Sequence, residues 1–321
     1  MSERPDVSVI IPVHNASSTI GRLVSSILTV ESVQVEVVVV DDASTDGSLA
    51  RVRALDAAQV VVDGFATNRG AGVARNRGLE LATGRFALFF DADDEIHPEA
   101  LVAAVRALDE TGADVAMMPY RYRRGRAAAH DGMNSFDAAV WARYVTAPRR
   151  LARLGDVASL LGFSNYPWNK VVRTDHYRTT GLRFSGTVVH NDILGHWLTL
   201  LDAGTILLLD QPLCTHIVNE GARNLTNRES RARLSLLDAL DETYAALEAR
   251  PEQRRRYAHH YWDFVLRVGT WATSRLTPEV ADEFDQRLHQ HLLRLDLGDY
   301  TRIRLRSDPE LASRLARRAL V

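Results

Sequence analysis

A chain of 321 residues, 46% hydrophobic and 25% charged with a formal net charge of −2, has an ordinary globular composition. That balance excludes broad attraction to nucleic acid or to membrane surfaces. A single cysteine, Cys214, excludes an intrachain disulfide and points to a reducing compartment. No basic leader with an apolar segment opens the chain, and no stretch is long enough to span a bilayer, so the expectation is a cytoplasmic protein. Lys170 is the only lysine among 39 basic residues, a bias read here as compositional.

The first third alternates strand and helix. Val7 to Ile11 predicts a strand stopped by Pro12. Ile20, Leu23, Val24, Ile27 and Leu28 then fall on one helical face. Val35 to Val40 is nearly all β-branched, as in a parallel strand buried on both faces, and it ends on Asp41 and Asp42. A short helix carries Leu49 and Val52, and Val60 to Val62 predicts a third strand. Asn68 to Gly72 is a loop leading into a helix through Ala82. Phe86 to Phe90 is a strand that ends on Asp91, Ala92, Asp93 and Asp94. A helix from Pro98 to Leu108 and a strand from Val115 to Met118 follow. This alternation predicts a mainly parallel, doubly wound sheet, and such sheets bind ligands at the carboxyl ends of their strands.

The Phe86 strand can hide no charge, so its terminal aspartates belong at the sheet's rim. Asp91 and Asp93 are two residues apart and share a direction if the chain stays extended. Two converging carboxylates repel unless a cation lies between them, and Mg²⁺ or Mn²⁺ suits such oxygens. Asp94 and Glu95 serve equally well as turn or helix-start residues near Pro98. A dehydrogenase-type nucleotide site needs a glycine-rich turn after the first strand, and Pro12 to Ser17 contains no glycine. A Walker loop is absent as well.

The segments Val7–Asn15, Val39–Gly47, Asn68–Gly70 with Ala74–Gly78, and Asp91–Asp94 together resemble the family 2 glycosyltransferases in order and spacing. The resemblance is strong from residue 5 to about 110, weaker to about 220, and ends there. It implies a GT-A fold: a Rossmann-like, mainly parallel sheet flanked by helices, here with a C-terminal helical extension. It implies a nucleotide-diphospho sugar donor and inverting transfer assisted by Mn²⁺ or Mg²⁺. Pro12 and Asn15 would line the nucleotide pocket, and Asp42 would accept a hydrogen bond from the base while Asp41 orients the loop. Arg75 would face the nucleotide or its phosphates, with Asn76 bracing that loop. Asp91 and Asp93 would form the metal- and ribose-binding pair. His14 stands where an aromatic is commoner in the family.

Trp168-Asn169-Lys170 precedes Asn191-Asp192, the place where the family usually carries an acidic pair heading a helix. Ile193, Trp197, Leu200 and Leu201 form that helix's apolar face. Asp192 is the expected general base, since attack by an acceptor hydroxyl needs a carboxylate to take its proton. The competing reading is a helix cap by Asn191 or Asp192. Trp168 is a candidate to stack on a sugar, Lys170 to meet phosphate, and the polar stretch His216 to Arg223 to close over the donor.

The last third carries three helical stripes: Leu237 to Leu247, Tyr257 to Val268 and Phe284 to Leu295, separated by Pro251 and Pro278. They read as core, or as a face for a homodimer or over the acceptor. A basic tail suggests a solvated face or a peripheral contact at the inner membrane surface. The expected layout is a transferase domain over 1–220, split into a donor half 1–110 and an acceptor half 111–220, followed by a helical region over 221–321. The acceptor is a carbohydrate, a lipid-linked sugar or a small molecule. The rival readings are a sugar nucleotidyltransferase and a nucleotide-sugar-binding scaffold on a degenerate transferase fold.

Overall fold

The structure, a computed structural model, describes residues 4–124, 132–218 and 231–319. Its centre is an eight-stranded sheet of strand order β3-β2-β1-β4-β9-β6-β10-β8. The donor side is β3 (Val60–Phe65), β2 (Val35–Asp42), β1 (Val7–Val13) and β4 (Phe86–Phe89), all parallel. Every residue of β1, β2 and β4 is buried, which is why these strands read as largely apolar runs, with Ser8 and Glu36 as their buried polar exceptions ahead of the strand ends. The helices that return the chain here are α1 (Ile20–Leu28), α2 (Ser48–Arg53), α3 (Ala71–Leu81) and α4 (Pro98–Thr111).

Three sequence expectations shift. Pro12 does not stop β1, which runs to Val13 with Pro12 opposite Val40. The Ile10 carbonyl accepts from Phe90 on the β4 side, and by the two-residue repeat Pro12 faces that side too. Pairing with β4 has ended there, so no ladder donor is missed. The strand predicted over Val115 to Met118 is β6 (Val115–Met117). After β4 the chain does not stay extended. It turns at Ala92 and Asp93, with the Asp94 N–H donating to the Asp91 carbonyl at 3.3 Å.

On the acceptor side, β9 (Lys170–Arg173) runs antiparallel between β4 and β6, while β10 (Ile206–Leu209) lies parallel to β6 and carries β8 (Arg149–Ala152) antiparallel at the edge. A second sheet of order β5-β11-β7 joins Glu95–Ile96, Cys214–Val218 and Tyr120–Arg124. The acceptor-side helices are α5 (Ser135–Tyr144), α6 (Thr174–Thr180) and α7 (Asp192–Leu201).

The last third is helical as expected, from α8 (Ser235–Glu248) through α9 (Pro251–Thr273), α10 (Pro278–Leu292) and α11 (Leu297–Arg302) to α12 (Pro309–Ala319). Pro251 and Pro278 occupy first-turn positions, where a missing N–H costs nothing. Leu237, Tyr244, Tyr261, Phe264 and Phe284 are buried in one apolar cluster that also holds Trp197 of α7 and Val9 of β1. Trp197 meets Tyr261 edge-on at 5.4 Å. No described helix is long and apolar enough to cross a membrane.

Candidate functional site

The carboxyl ends of β1, β2 and β4 do meet on one rim, and the first clamp there belongs to Asp42. It is nearly inaccessible, and its two oxygens accept from the backbone N–H groups of Arg69 (2.6 Å) and Gly70 (2.8 Å). Gly70 needs its glycine, at φ 90°. Asp42 thus fixes the loop ahead of α3. Asp41 accepts from the Ser44 N–H at 3.2 Å, the loop-orienting contact expected of it. Its Oδ1 is buried with no hydrogen-bond partner among the described residues. Asn15 sits exposed at φ 53° and accepts the Thr45 N–H at 2.8 Å, whereas Pro12 is buried in its strand. His14 donates from Nδ1 to the Asp42 carbonyl at 2.7 Å, so a ring there still braces the β2 end.

Arg75 links the two halves. It is buried on α3, donating one terminal nitrogen to Asp91 at 2.5 Å and the other to Asn191 Oδ1 at 2.6 Å. Its guanidinium lies 5.3 Å from the centre of the Phe184 ring. Arg75 thus spans from the β4 rim to the start of α7. Asn76 braces as expected, but its partner is the segment before α7, bonding the Phe184 carbonyl at 2.9 Å and the Phe184 N–H at 2.7 Å. Gly72 permits that approach. A Cβ there would lie 1.9 Å from the Ser185 carbonyl oxygen and 2.9 Å from Asn191 Cβ.

Asp93 is exposed at the turn, and crowding by the protein, with Asp91 beside it, raises its pKa above the usual carboxylate range. No group of three or more His, Cys, Asp or Glu side chains able to hold a metal occurs among the described residues. Two adjacent carboxylates with one oxygen already on Arg75 suit a divalent ion that takes its remaining ligands from phosphate and water. Asp94 does not cap α4. Its buried carboxylate accepts the Ile217 N–H at 2.9 Å and faces His216 Nδ1 at 2.8 Å, fastening β11 under the rim. Burial pushes Asp94 up to about 7 despite the His216 hydrogen bond, and that bond raises His216 against its own burial.

On the acceptor side, Asn191 is the N-cap position of α7, yet no side chain caps that helix. Asn191 thus forms no side-chain cap, while Asp192 keeps a hydrogen bond to its own backbone N–H. Asp192 opens the helix partly exposed. Burial beneath it pushes its pKa up to about 6, opposed by the nearby Arg75 and Lys170 charges and assisted by Asp91. Beside it, Trp168 is fully buried, stacked 4.4 Å beneath Tyr166, and so offers no face to a sugar. Lys170 is buried too, and cannot meet a phosphate as placed. The groups that reach the surface over Trp168 are Tyr166 and His216, with Tyr122 joined to Tyr166 through their hydroxyls at 2.9 Å. Sequence reasoning missed Tyr122 and Tyr166, and named His216 only as the start of a stretch closing over the donor. Their one signal was position: Tyr166 precedes Trp168 by two residues, and His216 opens the polar stretch whose residues 219–223 lie outside the described residues.

Residues 8–157 match the family described as "Glycosyl transferase family 2". Succinoglycan biosynthesis protein ExoO of Rhizobium meliloti (strain 1021) is 40% identical over 113 residues, covering 35% of this chain and 32% of that protein. The uncharacterized glycosyltransferase YibD of Escherichia coli (strain K12) is 28% identical over 259 residues, covering 76% and 74%. This chain thus spans about a third of ExoO and about three quarters of YibD. A crystal structure of S. aureus TarS 1–349 in complex with UDP-GlcNAc superposes with a TM-score of 0.76 at 21% identity, covering 98% of this chain and 88% of that one. Motifs, fold and relatives agree: residues 8–157 match glycosyltransferase family 2, and the chain has the GT-A fold.

Proposed function

We propose that the protein transfers a sugar, with inversion, from a nucleotide-diphospho sugar to an acceptor hydroxyl, and that Asp192 is the general base. The observation that carries this reading is Asp192 itself: a carboxylate in the first turn of a helix that has no side-chain cap, partly open, with a pKa of about 6. A base near neutrality is what proton removal at physiological pH needs. The acceptor O–H proton passes to Asp192 as its oxygen bonds the anomeric carbon. The bond from that carbon to the diphosphate breaks, and its electron pair leaves with the diphosphate.

On the donor side, Asp93 with Asp91 would hold a divalent ion. Such an ion supplies neutralisation of the charge on the departing diphosphate. Asp42 and Asn15 would frame the base pocket, with Asp42 accepting from a ring N–H and Asp41 holding the loop. TarS binds UDP-GlcNAc, so UDP heads the donor candidates. Tyr166 and His216 would form the floor on which the acceptor rests.

The test is a thermal-shift screen of UDP, GDP, dTDP, ADP and CMP, each with Mn²⁺, Mg²⁺ or EDTA. A ligand at a hundred times its dissociation constant stabilises a fold by about 2.7 kcal/mol. One nucleotide stabilising only with metal supports the donor site and licenses an acceptor screen. No stabilisation by any of them would favour the degenerate-scaffold reading.

A further inference from the structure

The compositional reading of Lys170 misses its placement. A chain that uses arginine at every other basic position keeps its one lysine, of 39 basic residues, at a site 3% exposed. Its Nζ donates to the Tyr166 carbonyl and to Asn169 Oδ1, both at 2.6 Å. Among the described residues no carboxylate pairs with it directly. The acids that act on it are Asp192 of α7 and Asp137 of α5, and His196 of α7 feels its charge in return. Asp137 is itself buried, bonded to the Tyr120 hydroxyl (2.7 Å) and the Ser164 N–H (3.1 Å). Asp192 is further flanked by Arg75 and Asp91.

We propose that Lys170 is a positioning residue for Asp192: its buried ammonium is an adjustable countercharge under the base, a role that arginine cannot fill. Two acceptors at 2.6 Å match a compact ammonium, whereas a planar guanidinium brings five donors and more volume into the same space. Burial lowers Lys170 to about 7, so it gives up its proton near neutrality, and arginine does not. When Lys170 is charged, Asp192 is held ionised. When Lys170 is neutral, Asp192 loses that support and becomes the stronger base. The consequence for turnover rests on the reading of Asp192 as base; the coupling itself does not.

A single lysine makes the test direct. Protein grown with ¹³Cε-lysine carries one labelled side chain, and its shift is followed against pH by NMR. A midpoint near 7 that falls by about half a pH unit or more in Asp192→Asn is expected, because removing a nearby anion disfavours the ammonium and the coupling is reciprocal. A midpoint near the ordinary lysine value, or one that moves in Asp137→Asn and not in Asp192→Asn, overturns the proposal. Lys170→Met and Lys170→Arg give a second readout in the acid limb of kcat/KM. The limb should rise in Lys170→Met while metal-dependent nucleotide stabilisation persists, and Lys170→Arg should not restore the wild-type profile. A wild-type profile in Lys170→Arg also overturns it. If the wild-type chain transfers no sugar at all, the reading of the site fails while the NMR coupling still decides the inference.

Discussion

Asp42 at the donor rim and Asp192 at the acceptor floor are carboxylates in opposite settings. Asp42 is satisfied: its two oxygens accept the backbone N–H groups of Arg69 and Gly70, which holds the loop ahead of α3 in place. Asp192 is desolvated without capping its helix, and its pKa rises to about 6. A satisfied carboxylate builds the site, and a frustrated one is available to do chemistry in it. Arg75, bonded to both Asp91 and Asn191, is where the two regimes join.

Replacing the frustrated group tests this contrast most strongly. Asp192→Asn is expected to lower kcat by about a thousandfold, within the range for loss of a general base. Metal-dependent nucleotide binding should survive. Turnover at the wild-type rate in this variant would end the base assignment. The wild-type acid limb of kcat/KM should lie near pH 6, because only the ionised carboxylate accepts a proton. Stability runs the other way. A carboxylate raised from 3.8 to about 6 on folding contributes stability that is full below about pH 4 and lost as pH rises through about 6. Asp192→Asn should therefore be at least as stable as wild type in urea at pH 8, a gain bought only by losing function.

Asp93→Ala carries the next largest effect. It removes the exposed partner of Asp91, and the metal-dependent part of nucleotide stabilisation, about 2.7 kcal/mol at a hundredfold excess over the dissociation constant, should vanish. Metal-dependent stabilisation of unchanged size in this variant would remove Asp93 from the metal site. Gly72→Ala comes third. Its Cβ would strike the Ser185 carbonyl, a backbone atom, so α3 must shift from the segment before α7. A cost of about 2 kcal/mol in urea unfolding is expected, since overpacking a tight contact falls in that range. A neutral Gly72→Ala would mean that the donor and acceptor halves are not held together there.

The donor half was legible because its signals are local. Buried parallel strands such as Val35 to Val40 and Phe86 to Phe89 need mostly apolar runs, and their polar ends are marked by the residues that stop them. Asp42, Asp91 and Asp93 announced a rim for the same reason. The acceptor half was less legible because its elements are short and their partners distant. β9 is four residues, Lys170–Arg173, and gains strand character only by slotting antiparallel between β4 and β6. The small sheet unites β5, β7 and β11, whose paired residues lie 94 to 120 positions apart in sequence, so no periodicity reveals it. Arg75 was found by motif, but its two partners lie 16 and 116 residues away, and only the fold brings them together.

Asp42→Asn makes the smallest change and probes the saturated side alone. The amide keeps the shape of the carboxylate but turns one of two acceptors into a donor. That NH₂ would face the N–H of Arg69 or of Gly70, two groups now bonded at 2.6 and 2.8 Å. One charge-assisted hydrogen bond is lost and a donor is set against a donor, a cost of about 1.5 kcal/mol. The loop it anchors leads into α3, so the loss should loosen Arg75 as well and weaken nucleotide binding in step with stability. Unchanged stability with weakened binding would instead mean that Asp42 acts mainly on the nucleotide. The saturated carboxylate would then be a ligand-binding group first and a clamp second.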